Sequence, residues 1–239
     1  MLQRGAAGAL LCYTGRGIGH ERISRYNVLR MQPSEMPIPE AKIITVFGSS
    51  HPRPGEPDYE QARLLGGRLA ARGFQVCTGG YSGVMEAASR GAKESGGRTL
   101  AVTAKFFRSG TNVWVDEEHA VDTWQERLFE LIRLGDGFVA CRGGTGTLAE
   151  LAVVWEMLNK GVMTGKPFVA LGDFWTPILE RVREVELGRS ARRGEAAARL
   201  IQVVSTGAEA ADLFARALGN VNEAPASARQ APASERQEG

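Results

Sequence analysis

The sequence predicts an α/β fold, a single Rossmann-like doubly wound parallel sheet with helices on both faces. Three observations lead there. Short runs that are almost continuously apolar recur along the chain, as strands covered on both faces do. Helix-period stretches separate them, and such alternation implies crossover connections between parallel strands. Glycine-rich turns stand where strands pass into helices, at the sheet edge where folds of this kind collect ligands.

Taken in order, Ile43 to Phe47 is the first strand, and it leaves through Gly48-Ser49-Ser50. A helix over Tyr59 to Arg72 carries Ala62, Leu65 and Leu69 on one face, with Gly73 as its stop. Phe74 to Cys77 is the second strand, and the turn Thr78-Gly79-Gly80-Tyr81-Ser82 opens a helix over Gly83 to Glu94. Thr99 to Val102 is the third. A helix over Trp124 to Leu134 then feeds the strand Gly137 to Cys141, and a further helix follows over Leu148 to Asn159. Phe168 to Leu171, the helix Pro177 to Glu186, the strand Ile201 to Val204 and the helix Ala208 to Leu218 complete the pattern.

With 239 residues, 43% hydrophobic and 23% charged, the chain can build one sizeable domain, expected over 41–219. Residues 1–40 mix Gly, Arg, Pro and Met without either period and read as an unordered extension. Their apolar run, Ala6 to Tyr13, is too short to span a membrane, and no Ala-x-Ala-like cleavage site follows it in register. Met31 and Met36 both precede the first strand, which is compatible with an internal start. Residues 220–239 contain APASARQ followed by APASERQ, a low-complexity repeat expected to be a disordered tail.

A net charge of +2 from 29 basic and 27 acidic residues gives no basis for a nucleic-acid or membrane partner. Arg192-Arg193, the densest basic spot, reads as a solvated helix end. Cys12, Cys77 and Cys141 are odd in number and have no zinc-site spacing, so they suit a reducing cytoplasm, with Cys77 and Cys141 as small buried hydrophobes. His20, His51 and His119 are scattered, and neither metal nor cofactor is expected.

The chemistry concentrates in Arg142-Gly143-Gly144-Thr145-Gly146-Thr147-Leu148-Ala149-Glu150. Between a strand and a helix, its glycines let backbone N–H groups crowd an anion. The helix N-terminus leaves donors unpaired, and Thr145 and Thr147 add hydroxyls. A phosphate there repels the Glu150 carboxylate, so Glu150 should act on another part of the ligand, with the sugar the natural candidate. Gly48 and Ser49 can contribute at the first turn. Gly79, Gly80, Gly83 and Met85 form a second glycine loop, which read alone is equally a tight turn. The helix beginning at Trp124 runs antiparallel to the strand it feeds, so Arg127 falls at the same sheet edge and Arg133 at the opposite one. The competing reading of Arg127 is a surface ion pair with Glu126 or Glu130.

The segment Gly143 to Glu150 resembles the PGGxGTxxE motif of the Lonely Guy family, whose members are often mislabelled lysine decarboxylases. Gly79 to Met85 resembles that family's second glycine loop, and Val46 to Ser50 its first-strand turn; the similarity runs from about Ala41 to Leu218. No Schiff-base lysine or large cofactor cleft supports the decarboxylase label. The resemblance implies hydrolysis of the N-glycosidic bond of a nucleoside 5′-monophosphate, AMP or a cytokinin riboside monophosphate, to free base and ribose 5-phosphate. It implies catalytic roles for Arg127 and Glu150, phosphate and substrate contacts at Gly143, Gly144, Thr145, Gly146 and Thr147, and a homodimer or higher homo-oligomer; Arg142, outside the family pattern, is expected to add positive charge at the phosphate. Trp155, Met157, Leu158 and Met163 are either an apolar interface patch or core. Three positions depart from the pattern: Arg142 replaces the proline, Leu128 a lysine and Ala149 a glutamate. The stretch Gly83 to Ala88, with Gly91-Ala92 and Gly96-Gly97, also resembles the branch of molybdenum-cofactor carriers, which bind a phosphorylated pterin without turning it over.

Overall fold

The computed structural model of the chain describes residues 41–107, 110–189 and 199–219. The expectations for the 1–40 extension, the 220–239 tail, Arg192-Arg193, Cys12 and His20 lie outside these residues. Seven parallel strands form one sheet: β1 (Ile43–Phe47), β2 (Gln75–Thr78), β3 (Thr99–Ala104), β4 (Glu117–Val121), β5 (Gly137–Ala140), β6 (Phe168–Leu171) and β7 (Ile201–Val204), in the order β4-β3-β2-β1-β5-β6-β7. The helices are α1 (Pro57–Ala71), α2 (Val84–Glu94), α3 (Trp124–Leu134), α4 (Thr145–Asn159), α5 (Thr176–Arg189) and α6 (Gly207–Leu218), and a 3-10 turn, Lys105–Phe107, follows β3.

Alternation along each strand sends side chains to two separate cores. Ile44, Val46, Val76 and Val139 pack beneath α1, α2 and α6, against Tyr59, Leu65, Leu69, Ala88 and Phe214. Phe47, Cys77, Phe138, Ala140 and Phe168 pack on the other face, against Leu128, Leu131, Leu151, Val154 and Leu179 of α3, α4 and α5. The doubly wound sheet is therefore as expected. Trp155 and Met163 belong to this second core, and Met157 and Leu158 are partly buried against it, which favours the core reading of those four residues.

Two features depart from the sequence expectation. β4 carries no apolar run, and Glu117, Glu118 and Ala120 are exposed. It is an edge strand paired with β3 from Leu100↔Glu117 to Ala104↔Val121, and its charges suit an edge that must not pair further. α4 begins at Thr145, before the expected Leu148, so the threonines of the glycine motif form its first turn.

The order of strands places β1 between β2 and β5, with connections departing to either side. A crevice opens at the carboxyl ends of β1 and β5 for that reason. Its walls are fixed from behind by backbone contact between α1 and α2. A Cβ at Gly66 would fall on the Ala88 carbonyl, and one at Gly91 on the Arg63 carbonyl. Because α2 carries the second glycine loop at its start, this contact sets the loop's position. Gly91→Val should force the helices apart and destabilise the protein by about 2–4 kcal/mol, measured as a lowered urea midpoint.

Candidate functional site

The β1 loop is held by its backbone. The Ser49 amide donates to the Arg142 carbonyl at 3.1 Å, and the Val84 amide donates to the Ser49 carbonyl at 2.8 Å. The Ser82 hydroxyl donates to the Ser50 carbonyl at 2.9 Å. Gly83 makes this closure possible. Its φ of 71° is in the left-handed region, and a Cβ there would strike the backbone of Ser49 and Ser50.

Around this junction lies a cavity of about 430 Å³, which the β1 loop lines from Gly48 to His51. Tyr81, Ser82 and Met85 from the second glycine loop, Phe107 beyond β3, and Trp124 and Arg127 of α3 form further walls. Gly144, Thr145, Gly146, Thr147 and Glu150 complete it. No side chain caps the N-terminus of α4, so first-turn amides remain available to an anion. A Cβ added at Gly144 or Gly146 would meet nothing within 4 Å, so both stand in open space.

The remaining predicted glycines act from behind the wall. A Cβ on Gly79 would fall on the Arg127 guanidinium, Gly143 sits against Thr147, and Gly80 turns at φ 79° against Ala101 and Thr103. None of Gly79, Gly80, Gly83 or Gly143 lines the cavity; they give neighbouring groups the room to do so. The guanidinium expected at the phosphate from Arg142 points elsewhere: it lies 3.8 Å from Asp58 and 5.2 Å from the Phe174 ring centroid, and its side chain is 62% exposed. What Arg142 brings to the crevice is the carbonyl that accepts Ser49.

Arg127 is buried, with 7% of the residue exposed. Nε donates to the Val102 carbonyl at 2.9 Å, and the guanidinium carbon lies 5.4 Å from the Tyr81 ring centroid and 5.7 Å from that of Phe107. The partners of the competing surface reading are engaged elsewhere. Glu126 closes a capping box with Thr123, and Glu130 pairs with Arg133 and His119. Instead, Arg127 reaches Glu150, with 3.8 Å between Nη1 and Oε1. Burial pushes the Glu150 carboxyl up to about 7, with the Arg127 charge opposing the rise. At that separation the attraction does not offset the loss of water.

Cys77 and Cys141 are buried free thiols, both pushed up to about 12 by burial, so neither is a thiolate at neutral pH. Among the described residues no group of three or more His, Cys, Asp or Glu side chains is arranged to hold a metal, and no helix is long and apolar enough to cross a membrane. Sequence reasoning missed His51, Tyr81, Phe107 and Trp124. A usable signal existed, since each follows the carboxyl end of a strand or opens the next helix.

The profile described as the SLOG cluster4 family matches residues 41–187, from β1 into α5. The chain belongs to the SLOG cluster4 family. An uncharacterized protein of Archaeoglobus fulgidus is 32% identical to this SLOG cluster4 chain over 120 residues, 49% of this chain and 78% of that protein. A cytokinin riboside 5′-monophosphate phosphoribohydrolase of Rhodococcoides fascians is 29% identical over 150 residues, 60% of this chain and 75% of the relative. One from Arabidopsis thaliana is 36% identical over 125 residues, 49% of this chain and 57% of the relative. These enzymes agree with the Lonely Guy resemblance of the glycine loops. Among solved structures, the molybdenum cofactor binding protein of Rippkaea orientalis has a TM-score of 0.58 and 25% identity, over 75% of this chain and 98% of that one.

In this SLOG cluster4 protein the raised Glu150 carboxyl has a consequence for stability. Between the ordinary value of 4.5 and about 7, the folded state keeps a proton that the unfolded chain releases, so stability falls as pH rises through that window and is level above it. Glu150→Gln should therefore stabilise the fold at pH 8, by up to about 3 kcal/mol, and give no gain at pH 4. Thermal melts of both proteins at the two pH values test this.

Proposed function

We propose that this protein is a nucleoside 5′-monophosphate phosphoribohydrolase acting on AMP or a cytokinin riboside monophosphate in a reducing cytoplasm. The observation that carries the reading is the Arg127–Glu150 pair, 3.8 Å apart, on the wall of the cavity into which the uncapped start of α4 opens. A phosphate held by the first-turn amides leaves the ribose to extend along the helix. From Thr145 to Glu150 the axis advances about 7.5 Å, and side chains lean back toward the N-terminus. The Glu150 carboxylate thereby reaches the sugar rather than the phosphate.

Cleavage breaks the bond between C1′ and the base nitrogen, and positive charge builds on the sugar. An ionised Glu150 stabilises that charge and accepts a proton from the water whose oxygen bonds to C1′. The base departs with the bonding electrons and takes up a proton. Arg127 offsets negative charge at the departing base and favours the ionised form of Glu150. Tyr81 and Phe107 keep water from the guanidinium, which strengthens both effects.

The curated relatives named as phosphoribohydrolases support this reading. The second reading, a carrier of a phosphorylated ligand such as molybdenum cofactor or a nucleotide, is favoured by the likeness to the cofactor binding protein. A homodimer or higher homo-oligomer is part of the proposal; Leu148, Ile178 and Val182 line an apolar hollow on α4 and α5 that suits it.

Chromatography of reactions with AMP and an N6-substituted relative should show free base and ribose 5-phosphate. Glu150→Gln and Arg127→Ala should each lower kcat by 100-fold or more, an order typical of removing a catalytic acid–base or charge-stabilising group, with the fold intact by circular dichroism. Retention of the nucleotide without base release would favour the carrier. Because the ionised carboxylate acts, kcat/KM should fall tenfold per pH unit below about 7. Arg127→Met removes the opposing positive charge, so the midpoint of that limb should move to higher pH, read from pH–rate profiles of whatever activity remains.

A further inference from the structure

His51 lines the cavity but takes no part in the reaction described above. Its backbone amide donates to the Ser49 hydroxyl at 3.1 Å, and its Nδ1 lies 3.1 Å from the same oxygen. Ser49 thus fixes the ring from one side, and Nε2 has no partner among the described residues. The segment carrying the ring is itself pinned, by the Ser49, Ser50 and Ser82 contacts already described. The β1 loop touches the phosphate loop directly: a Cβ on Gly143 would lie 3.2 Å from the Ser49 amide nitrogen.

The charges on the cavity wall leave this ring a task. Arg127 and His51 are the two side chains on that wall that can carry positive charge. Arg127 is committed to Val102 and Glu150, and Arg142 is turned toward Asp58. A phosphomonoester at α4 therefore meets backbone amides and hydroxyls, and the imidazole is the basic side chain left to it.

We propose that His51 is the side-chain ligand of the phosphomonoester, donating from Nε2 to the group held at the first turn of α4, and that it selects a phosphorylated ligand over its dephosphorylated counterpart. This deepens the hydrolase reading and rests on its assignment of the phosphate end. It assigns His51 to ligand binding and leaves the glycosidic step to Glu150 and Arg127.

Calorimetric titration with ribose 5-phosphate, which holds no scissile base, tests it apart from turnover. Wild-type protein should bind. His51→Ala should weaken binding about tenfold or more, the scale of one charge-assisted hydrogen bond, and His51→Gln, which keeps a neutral donor, should recover part of the loss. Affinity for adenosine should be the same in all three proteins, and on AMP His51→Ala should raise KM with kcat within about threefold. Affinity for ribose 5-phosphate within twofold in His51→Ala, or an equal weakening toward adenosine, would overturn the assignment. If wild-type protein releases base from AMP without binding ribose 5-phosphate, the assignment falls and the hydrolase reading stands. His51-dependent binding with no base release has the opposite meaning.

Discussion

A guanidinium and a carboxylate withdrawn together from water, those of Arg127 and Glu150, set the terms for the rest of this structure. Burying either charge unpaired is costly, and each lessens the cost of the other. Their 3.8 Å separation leaves the attraction incomplete, and the carboxyl remains raised to about 7. Such a group sits near the point of exchange with solvent protons and is held there by the fold. The arrangement disfavours stability at neutral pH and suits chemistry.

The surroundings follow from keeping that pair in place. Arg127 enters between β3 and the second glycine loop because Gly79 has no side chain to exclude it, and the Val102 carbonyl takes its Nε proton. α3 presents it from its first turns, where the Thr123–Glu126 capping box fixes the helix start. Glu150 comes from the second turn of α4, whose first turn is left without a side-chain cap. One helix thus presents uncapped first-turn amides and a carboxylate to the same cavity. The close approach of α1 and α2 and the junction of the two glycine loops hold the opposite wall.

Much of the fold could be read from the chain, because the buried strands must be apolar on both faces. Ile43–Phe47 and Phe168–Leu171 match the expected strands residue for residue, and so does Ile201–Val204, although it is an edge strand with Gln202 and Val203 exposed. β4 could not be read in that way. An edge strand with exposed Glu117 and Glu118 satisfies its backbone against β3 alone, and the apolar criterion does not see it. In the site, Thr145, Gly146, Thr147 and Glu150 were legible because glycines, hydroxyls and a carboxylate gather at one strand-to-helix junction, and all four line the cavity. Tyr81, Phe107 and Trp124 carry a signal only in their place after a strand end or at a helix start, since an aromatic residue in a turn otherwise reads alike whether it faces solvent, core or ligand.

The order of residues alone specified the alternation of strand and helix, the parallel sheet that this alternation requires, and a glycine-rich turn at its carboxyl edge. These are local consequences of periodicity and of glycine. Tertiary structure alone decided which charges meet. Arg127 and Arg142 are equally plausible neighbours of an anion on paper, yet packing against Val102, Tyr81 and Phe107 turns the first inward, and Asp58 and Phe174 hold the second outside. The physical reason is that desolvation and pairing depend on groups distant in sequence, whose positions are set only when the sheet has closed between its two cores.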